Sequence, residues 1–222
     1  MSDRDGSFLE ALAPGEVEWL KRAGVLRHFE SATALFHEHQ PSDRVMLLMA
    51  GRVKIASTTE DGRESVLAFR GPGEVLGELS AIDGQPRSAS VLAVDDVEAI
   101  VIPAADFRAF LERTPRATLW LLTRVIARLR EADRKRAEFG ASDTIGRVAA
   151  RLVELAERYG LPTDTGVRID LPITQEELAS WVGSSREGVN KALHTLRELG
   201  WVGTERRSIT VIDIEALRRR AG

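Results

Sequence analysis

Two stretches of this 222-residue chain carry side chains at spacings that suit chemistry. The first is Gly77-Glu78-Leu79-Ser80, followed across Ala81–Pro86 by Arg87-Ser88-Ala89. An arginine fork beside a hydroxyl and backbone N–H groups matches a phosphate, and a carboxylate, being acceptor-only, matches a sugar hydroxyl. The short turn bearing Gly84 brings Arg87 back over Gly77 and Glu78. Singly, Glu78 and Arg87 could be an ordinary surface ion pair. Together with the glycine and Arg-Ser-Ala they suit a ligand with one anionic phosphodiester and a ribose 2′-hydroxyl, the groups a cyclic nucleotide presents.

The second stretch begins at Gln175 and reads QEELASWVGSSREGVNKALH. Ala179, Gly183 and Val189 occupy the restrictive positions of a helix-turn-helix: a small residue where two helices meet, a glycine for the positive-φ turn, and a branched apolar anchor. Leu178, Val182 and Leu193 supply further apolar contacts, and Ser184-Ser185 caps a second helix whose first turn bears Arg186 and Glu187. At the start of such a helix Arg186 can donate twice to guanine O6 and N7, Glu187 can accept from cytosine N4, and Lys191 can reach another guanine. A charged trio on a helix is more commonly a solvated face; the place of this one in the motif argues for base contact. Thr174, Gln175, Ser185, Arg206 and Arg207 are phosphate-contact candidates, and Arg218–Arg220 reads as a solvated tail.

These side chains need elements to hold them. After a helix signal at Pro14–Ala23 the chain to about Ile102 reads as short strands, among them Arg44–Met49, Arg52–Thr58, Ser65–Phe69, Ser90–Val94 and Val97–Ile102, with turn signals at 60–62, 71–73 and 83–84. That pattern suggests a β-roll or barrel. From Pro115 to Phe139 the period becomes helical, with Leu119, Leu122, Ile126 and Leu129 in an a/d seam that continues through Asp133 and Arg136. Such a seam calls for a partner helix, most simply from a second copy, or packs on the chain's own β-roll. Gly140 can end this helix, and Ser142 or Asp143 can cap the next, which runs to about Tyr159. Beyond the helix-turn-helix, residues 202–212 read as the strand–turn–strand of a wing. The expected fold is α+β: an N-terminal β-roll of the cyclic-nucleotide-binding jelly-roll type (residues 1–114), a long dimerisation helix (115–140), and a C-terminal winged helix-turn-helix (141–222).

Composition narrows the classes. With no cysteine, the chain can have no disulfide framework, Cys-ligated zinc, iron–sulfur cluster or cysteine nucleophile. The apolar run at Val45–Ala50 is far short of a membrane span, and the MSDRDGS start lacks the features of a signal peptide, so a cytoplasmic protein without membrane contact is expected. The net charge of −3 is unevenly spread: 12 basic against 19 acidic side chains before residue 116, 7 against 3 over residues 116–140, and 12 against 12 thereafter. No Walker-type loop, metal-ligand cluster or Ser/His/Asp constellation supports an enzyme. His37 and His39 read as surface residues, not ligands.

From the β-roll to the C-terminus, the chain resembles the Crp/Fnr superfamily of transcription regulators, with its closest likeness to the actinobacterial cyclic-AMP receptor proteins. Gly77-Glu78-Leu79 and Arg87-Ser88-Ala89 look like the family's phosphate-binding cassette, and Asp143-x2-Gly146-Arg147 like the start of its rear domain. Ile173-Thr174-Gln175-Glu176-Glu177 and Ser185-Arg186-Glu187-x2-Asn190-Lys191 look like its DNA-binding motif. The resemblance implies a cytoplasmic homodimer on double-stranded operator DNA, with a GTG-type core in each half-site and RNA polymerase as a further partner. It implies that Glu78 holds the ribose, and Arg87 with Ser88 the phosphate, of a small-molecule effector. The absence of cysteine and of any histidine between residues 60 and 90 sets the chain apart from iron–sulfur and haem sensors and favours a nucleotide.

One position departs from the cyclic-AMP receptors. The base-contacting pair of the long helix, usually Thr followed by Ser or Asn, is here Ala132-Asp133. In a dimer two Asp133 carboxylates would approach at the seam. A purine amino group could relieve them, and guanine, with N1–H and N2–H2 together, would suit a carboxylate better than adenine. The likeness to the cyclic-AMP receptors makes cyclic AMP the favoured effector, with cyclic GMP admitted through Asp133. The bland reading is a salt bridge from Asp133 to a neighbouring arginine, and a constitutive DNA-binding regulator with a vestigial pocket.

Overall fold

The computed structural model describes residues 6–58, 64–139, 143–205 and 208–221. These residues fall into two compact units, divided between Arg130 and Glu131. The front unit runs through α1 (Pro14–Ala23), β1 (Val25–Phe29), β2 (Ala34–Phe36), β3 (Arg44–Ala50), β4 (Val53–Thr58), β5 (Glu64–Arg70), β6 (Val75–Leu76), α2 (Glu78–Asp83), β7 (Ser90–Ala93), β8 (Val97–Pro103) and α3 (Ala104–Arg113), and continues into α4 (Pro115–Phe139). Its strands form two four-stranded sheets, ordered β1-β8-β3-β6 and β2-β7-β4-β5. Every pairing is antiparallel.

The apolar run of β3 has a simple cause: the strand is buried on both faces. Met46 and Leu48 pack with Phe36, Val53, Val91 and Val97 in a cluster drawn from both sheets. Val45 and Leu47, pointing the other way, pack with Phe8, Leu20, Phe107, Ala117 and Leu121 under the helices. A strand covered on both sides reads as continuous apolar residues and not as an alternation. Helix α3, for which the sequence reading made no assignment, buries Ala104, Phe107, Phe110 and Leu111 on one face. The Phe8 and Trp120 rings, 5.5 Å apart, tie the N-terminal segment to the start of α4.

Helix α4 has two faces. Ala117 and Leu121 are buried in the core of the front unit, while Leu119, Leu122, Ile126 and Leu129 are 63%, 53%, 40% and 59% exposed. The seam residues therefore do not pack on the chain's own β-roll, the second of the two uses the sequence left open. Side-chain surroundings of Arg136, and of Arg134 as an ion partner for Asp133, lie outside the described residues, as do Gly140, Ser142 and the turn at 60–62.

The rear unit adds α5 (Thr144–Tyr159), β9 (Gly160–Thr163), β10 (Gly166–Ile169), α6 (Gln175–Val182), α7 (Arg186–Glu198), β11 (Val202–Glu205), β12 (Ser208–Val211) and α8 (Ile214–Ala221). Its four strands form one antiparallel sheet, β11-β12-β10-β9. The β11–β12 hairpin is the expected wing; β9 and β10 widen it. Asp143 caps α5, accepting from Gly146 N at 2.8 Å. The Arg218–Arg220 run is solvated, with Arg218 and Arg219 exposed, but it is the last turn of α8 and not a loose tail. Arg218 pairs with Glu157 at 2.5 Å and with Glu215, and Arg220 pairs with Asp143.

The backbone N–H of Gly146, and then Arg220, hold the Asp143 carboxyl below its ordinary range. A carboxylate lowered in the folded state contributes stability above its unfolded pKa and loses it as pH falls through the folded value. Asp143→Ala is expected to cost about 1 kcal/mol at neutral pH. The gap from wild type should begin to narrow below about pH 4 and go on narrowing as pH falls toward the lowered folded value, as read by urea denaturation across that acid range and at neutral pH.

Candidate ligand cassette and nucleic-acid interface

Helix α2 is a six-residue turn between two left-handed glycines, Gly77 (φ 77°) and Gly84 (φ 72°). A side chain at Gly77 would be strained there and would also collide with the Arg87 guanidinium. Gly77 is thus the residue that lets arginine and helix approach. Arg87 is 3% exposed and Glu78 5%, an uncommon state for either type unless it is compensated. Nη1 of Arg87 donates to Gly77 O at 3.1 Å and Nη2 to Arg44 O at 2.5 Å. The guanidinium also lies over the Phe36 ring, 3.9 Å from its centroid. The backbone of Arg87 is paired on both sides to the 37–40 loop: His39 N donates to Arg87 O, and Arg87 N to Gln40 O, each at 2.8 Å. Burial pulls the guanidinium below the usual arginine range, as does nearby Arg44, while the Asp43 and Glu78 carboxylates oppose the shift.

Glu78 has a partner that the sequence did not disclose. Arg128 of α4 donates from Nη1 to Glu78 Oε1 at 2.7 Å. The only sequence signal was a cation on the side of α4 away from the apolar seam, and nothing in local spacing ties residue 128 to residue 78. Ser80 is buried, with Oγ donating to Pro86 O at 3.2 Å, so its hydroxyl braces the loop that leads to Arg87. Leu79 and Ser88 are exposed and Ala89 half-buried. The structure therefore brings Gly77, Glu78, Ser80 and Arg87 together as one cassette. Asp133 lies on the α4 surface, exposed, beyond the end of the front unit. His37 and His39 are exposed, His39 in a left-handed conformation (φ 66°).

In the rear unit, α6 ends at Gly183 (φ 59°, ψ 50°), whose amide and that of Ser184 turn back to the helix's last carbonyls. Ala179 and Val189 are buried at the contact between α6 and α7, which explains the restriction on their types. Helix α7 buries Val189, Ala192, Leu193 and Leu196. Its opposite face exposes Arg186, Glu187, Asn190 and Lys191, with His194 one step further. Thr174 and Ser185 are the helix caps: Thr174 Oγ1 accepts from Glu177 N at 3.1 Å, and Ser185 Oγ from Gly188 N at 3.0 Å. The Thr174 hydroxyl also donates to Glu177 at 2.9 Å, so this candidate already has partners within its helix. A cleft of about 410 Å³ opens between the start of α6, the start of α7 and the wing, lined by Thr174, Gln175, Arg186, Thr204 and Ser208 among others. Arg206 and Arg207, at the wing turn, lie outside the described residues.

The cassette of the front unit can grip an anion and a hydroxyl, and the rear unit presents a charged face of α7 beside the β11–β12 wing. Residues 26–114 match the cyclic nucleotide-binding domain family, and residues 146–220 the Crp-like helix-turn-helix domain. The chain is 37% identical over 193 residues to the CRP-like cAMP-activated global transcriptional regulator of Mycobacterium tuberculosis, covering 87% of this chain and 86% of that protein. It is 33% identical over 195 residues to the cyclic AMP receptor protein of Thermus thermophilus, covering 88% and 87%. The c-di-GMP-responsive global regulator CLP of Xanthomonas campestris superposes with a TM-score of 0.79 at 23% identity, covering 90% of this chain and 99% of that one, a likeness of fold. These relatives are regulators of transcription and not enzymes. The chain belongs to the Crp/Fnr family of DNA-binding transcription regulators, with a cyclic nucleotide-binding domain in front and a Crp-like helix-turn-helix behind.

Proposed function

We propose that this regulator works as a homodimer, gated by a cyclic nucleotide, on a two-fold symmetric operator with GTG-type half-sites. The observation that carries the reading is the buried pair in the cassette: Arg87 and Glu78 are a cation and an anion kept almost wholly from water, placed where a phosphodiester and a ribose would complete their bonding. Arg87, with Ser88 and Ala89, would hold the phosphate, and Glu78, next to Gly77, Leu79 and Ser80, the ribose. Cyclic AMP is the favoured effector. Arg186, Glu187, Asn190 and Lys191 would read bases, while Gln175, Ser185, Arg206 and Arg207 would meet phosphates beside Thr174. RNA polymerase would be the further partner.

Gating needs a ligand that touches two states differently. A nucleotide gripped by the cassette and by α4 favours the state that sets both recognition helices about 34 Å apart. By linkage, operator DNA then tightens nucleotide binding by the same factor. The test is a gel shift at fixed salt, on a symmetric GTG-containing duplex, with and without cyclic AMP. Stimulation supports gating; equally tight binding without nucleotide points instead to a constitutive regulator with a vestigial pocket.

Asp133 is what admits cyclic GMP as the alternative effector. Ionised, it accepts two hydrogen bonds from guanine N1–H and N2–H2 but one from the adenine amino group. Titration calorimetry should show Asp133→Ala weakening cyclic GMP more than cyclic AMP. Equal, negligible heats for both nucleotides on the wild-type chain would remove Asp133 as a base reader.

A further inference from the structure

Six residues are too few for a helix to hold its own shape, so the aim of the Glu78 carboxylate depends on what grips α2 from outside. Arg87 grips its start, through Gly77 O, and Arg128 grips Glu78 itself. The far end is gripped by Arg108 of α3, whose Nη1 donates to Ala81 O at 2.8 Å. Ala81 is fully buried, and its carbonyl belongs to the last turn of α2, where carbonyls lack partners within the helix and a cation is favourable. Arg108 and Arg128 come from helices that meet at a braced corner. Thr114 N donates to Leu111 O at 3.3 Å, and Thr118 Oγ1 donates to the same carbonyl at 2.7 Å. The two arginines thus reach α2 from one structural body.

We propose that Arg108 is a positioning residue for the cassette: its hold on the Ala81 carbonyl fixes the rotation of α2 that presents Glu78, and it forms, with Arg128, a two-point clasp between α2 and the α3–α4 corner. Arg87 and Arg128 both hold the start of α2, and without Arg108 the last turn would lose its tie to α3. Two ties make displacement of α2 carry the α3–α4 corner with it, so the cassette and α4 shift together. The role of Glu78 as the ribose contact rests on the function proposed above; the clasp itself does not.

Arg108 lies at the surface, outside the apolar core, so Arg108→Ala and Arg108→Lys test the clasp without emptying that core. Hydrogen exchange followed by mass spectrometry on the ligand-free full chain reads α2 directly, because Ala81 N and Gly84 N donate to Gly77 O and Ser80 O. Arg108→Ala should speed exchange of the peptide spanning 77–88 by about tenfold, while peptides from α5 to α7 keep their wild-type rates. Calorimetric affinity for cyclic AMP, or for cyclic GMP if only that nucleotide binds, should fall by about tenfold. Arg108→Lys, which keeps a charged donor, should recover most of both effects. Wild-type exchange at 77–88 in Arg108→Ala overturns the clasp, and faster exchange with unchanged affinity overturns its role in presenting Glu78. A wild-type chain that takes up neither nucleotide rejects the effector reading, while the exchange comparison still decides the clasp.

Discussion

Arg87→Ala should abolish nucleotide-dependent operator binding while leaving the weak, salt-sensitive binding to nonspecific DNA largely intact. Each charge-assisted hydrogen bond to a phosphate is worth about 1.5–3 kcal/mol, so losing a bidentate pair lowers nucleotide affinity by more than about a hundredfold. The substitution also removes the donors to Gly77 O and Arg44 O and the cation over Phe36. The front unit should therefore unfold at lower temperature, and thermal melts must accompany the titration. Arg87→Lys separates the two effects. Lysine keeps the charge as a single point but loses the planar fork, so it should retain part of the phosphate attraction without holding both carbonyls. Nonspecific binding depends on the rear unit's cations and counterion release, neither of which Arg87 touches. Nucleotide stimulation that survives in a folded Arg87→Ala protein would reject the cassette assignment.

The cassette and the helix-turn-helix were legible in the sequence for one reason: their members lie close along the chain, where turn geometry converts spacing into position. Gly77 precedes Glu78 directly, and one short turn returns Arg87; Ala179, Gly183 and Val189 span a single pair of helices. Contacts between distant segments left no such trace. Arg128 and Arg108 reach α2 across 50 and 27 residues, and neither spacing differs from that of any surface arginine. Helix α3 carried an apolar 3–4 period at Ala104, Phe107, Phe110 and Leu111, but it follows a strand closely and is short enough to be lost in the run of β segments. The C-terminal arginines read as a tail because charge on a final helix resembles one; only the folded chain brings Glu157 and Asp143 beside them. Thr174 shows a subtler ambiguity, since a residue type suited to a phosphate contact is also suited to a helix cap.

Ile126→Asp carries the other large effect, because it strikes the apolar face of α4 through which two copies are proposed to pair for two-site DNA recognition. The four seam residues are large apolar side chains left substantially in water on one face of α4, while the core of the front unit takes the opposite face through Ala117 and Leu121. Burying such side chains yields about 1.5–3 kcal/mol each when burial is complete, and a pair of α4 helices meeting at this seam would bury two sets. A carboxylate at the centre of the seam would instead face its own copy across an apolar interface, where an uncompensated charge is strongly unfavourable. Sedimentation should then report a monomer for Ile126→Asp and a dimer for the wild type. Since Ile126 lies outside both core clusters of the front unit, circular dichroism of the monomer should stay close to wild type. Binding to the symmetric duplex should weaken by about 1,000-fold or more, because the second half-site loses the effective concentration that a linked partner provides. Binding to one half-site should weaken little, since α7 and its cap are untouched. Leu119→Asp, at the end of the seam, should give a smaller shift toward monomer, and that gradient along α4 separates a helix-pair interface from a general loss of folding. A dimer that persists in Ile126→Asp would place the contact between copies on another surface and leave this apolar face without the partner proposed for it.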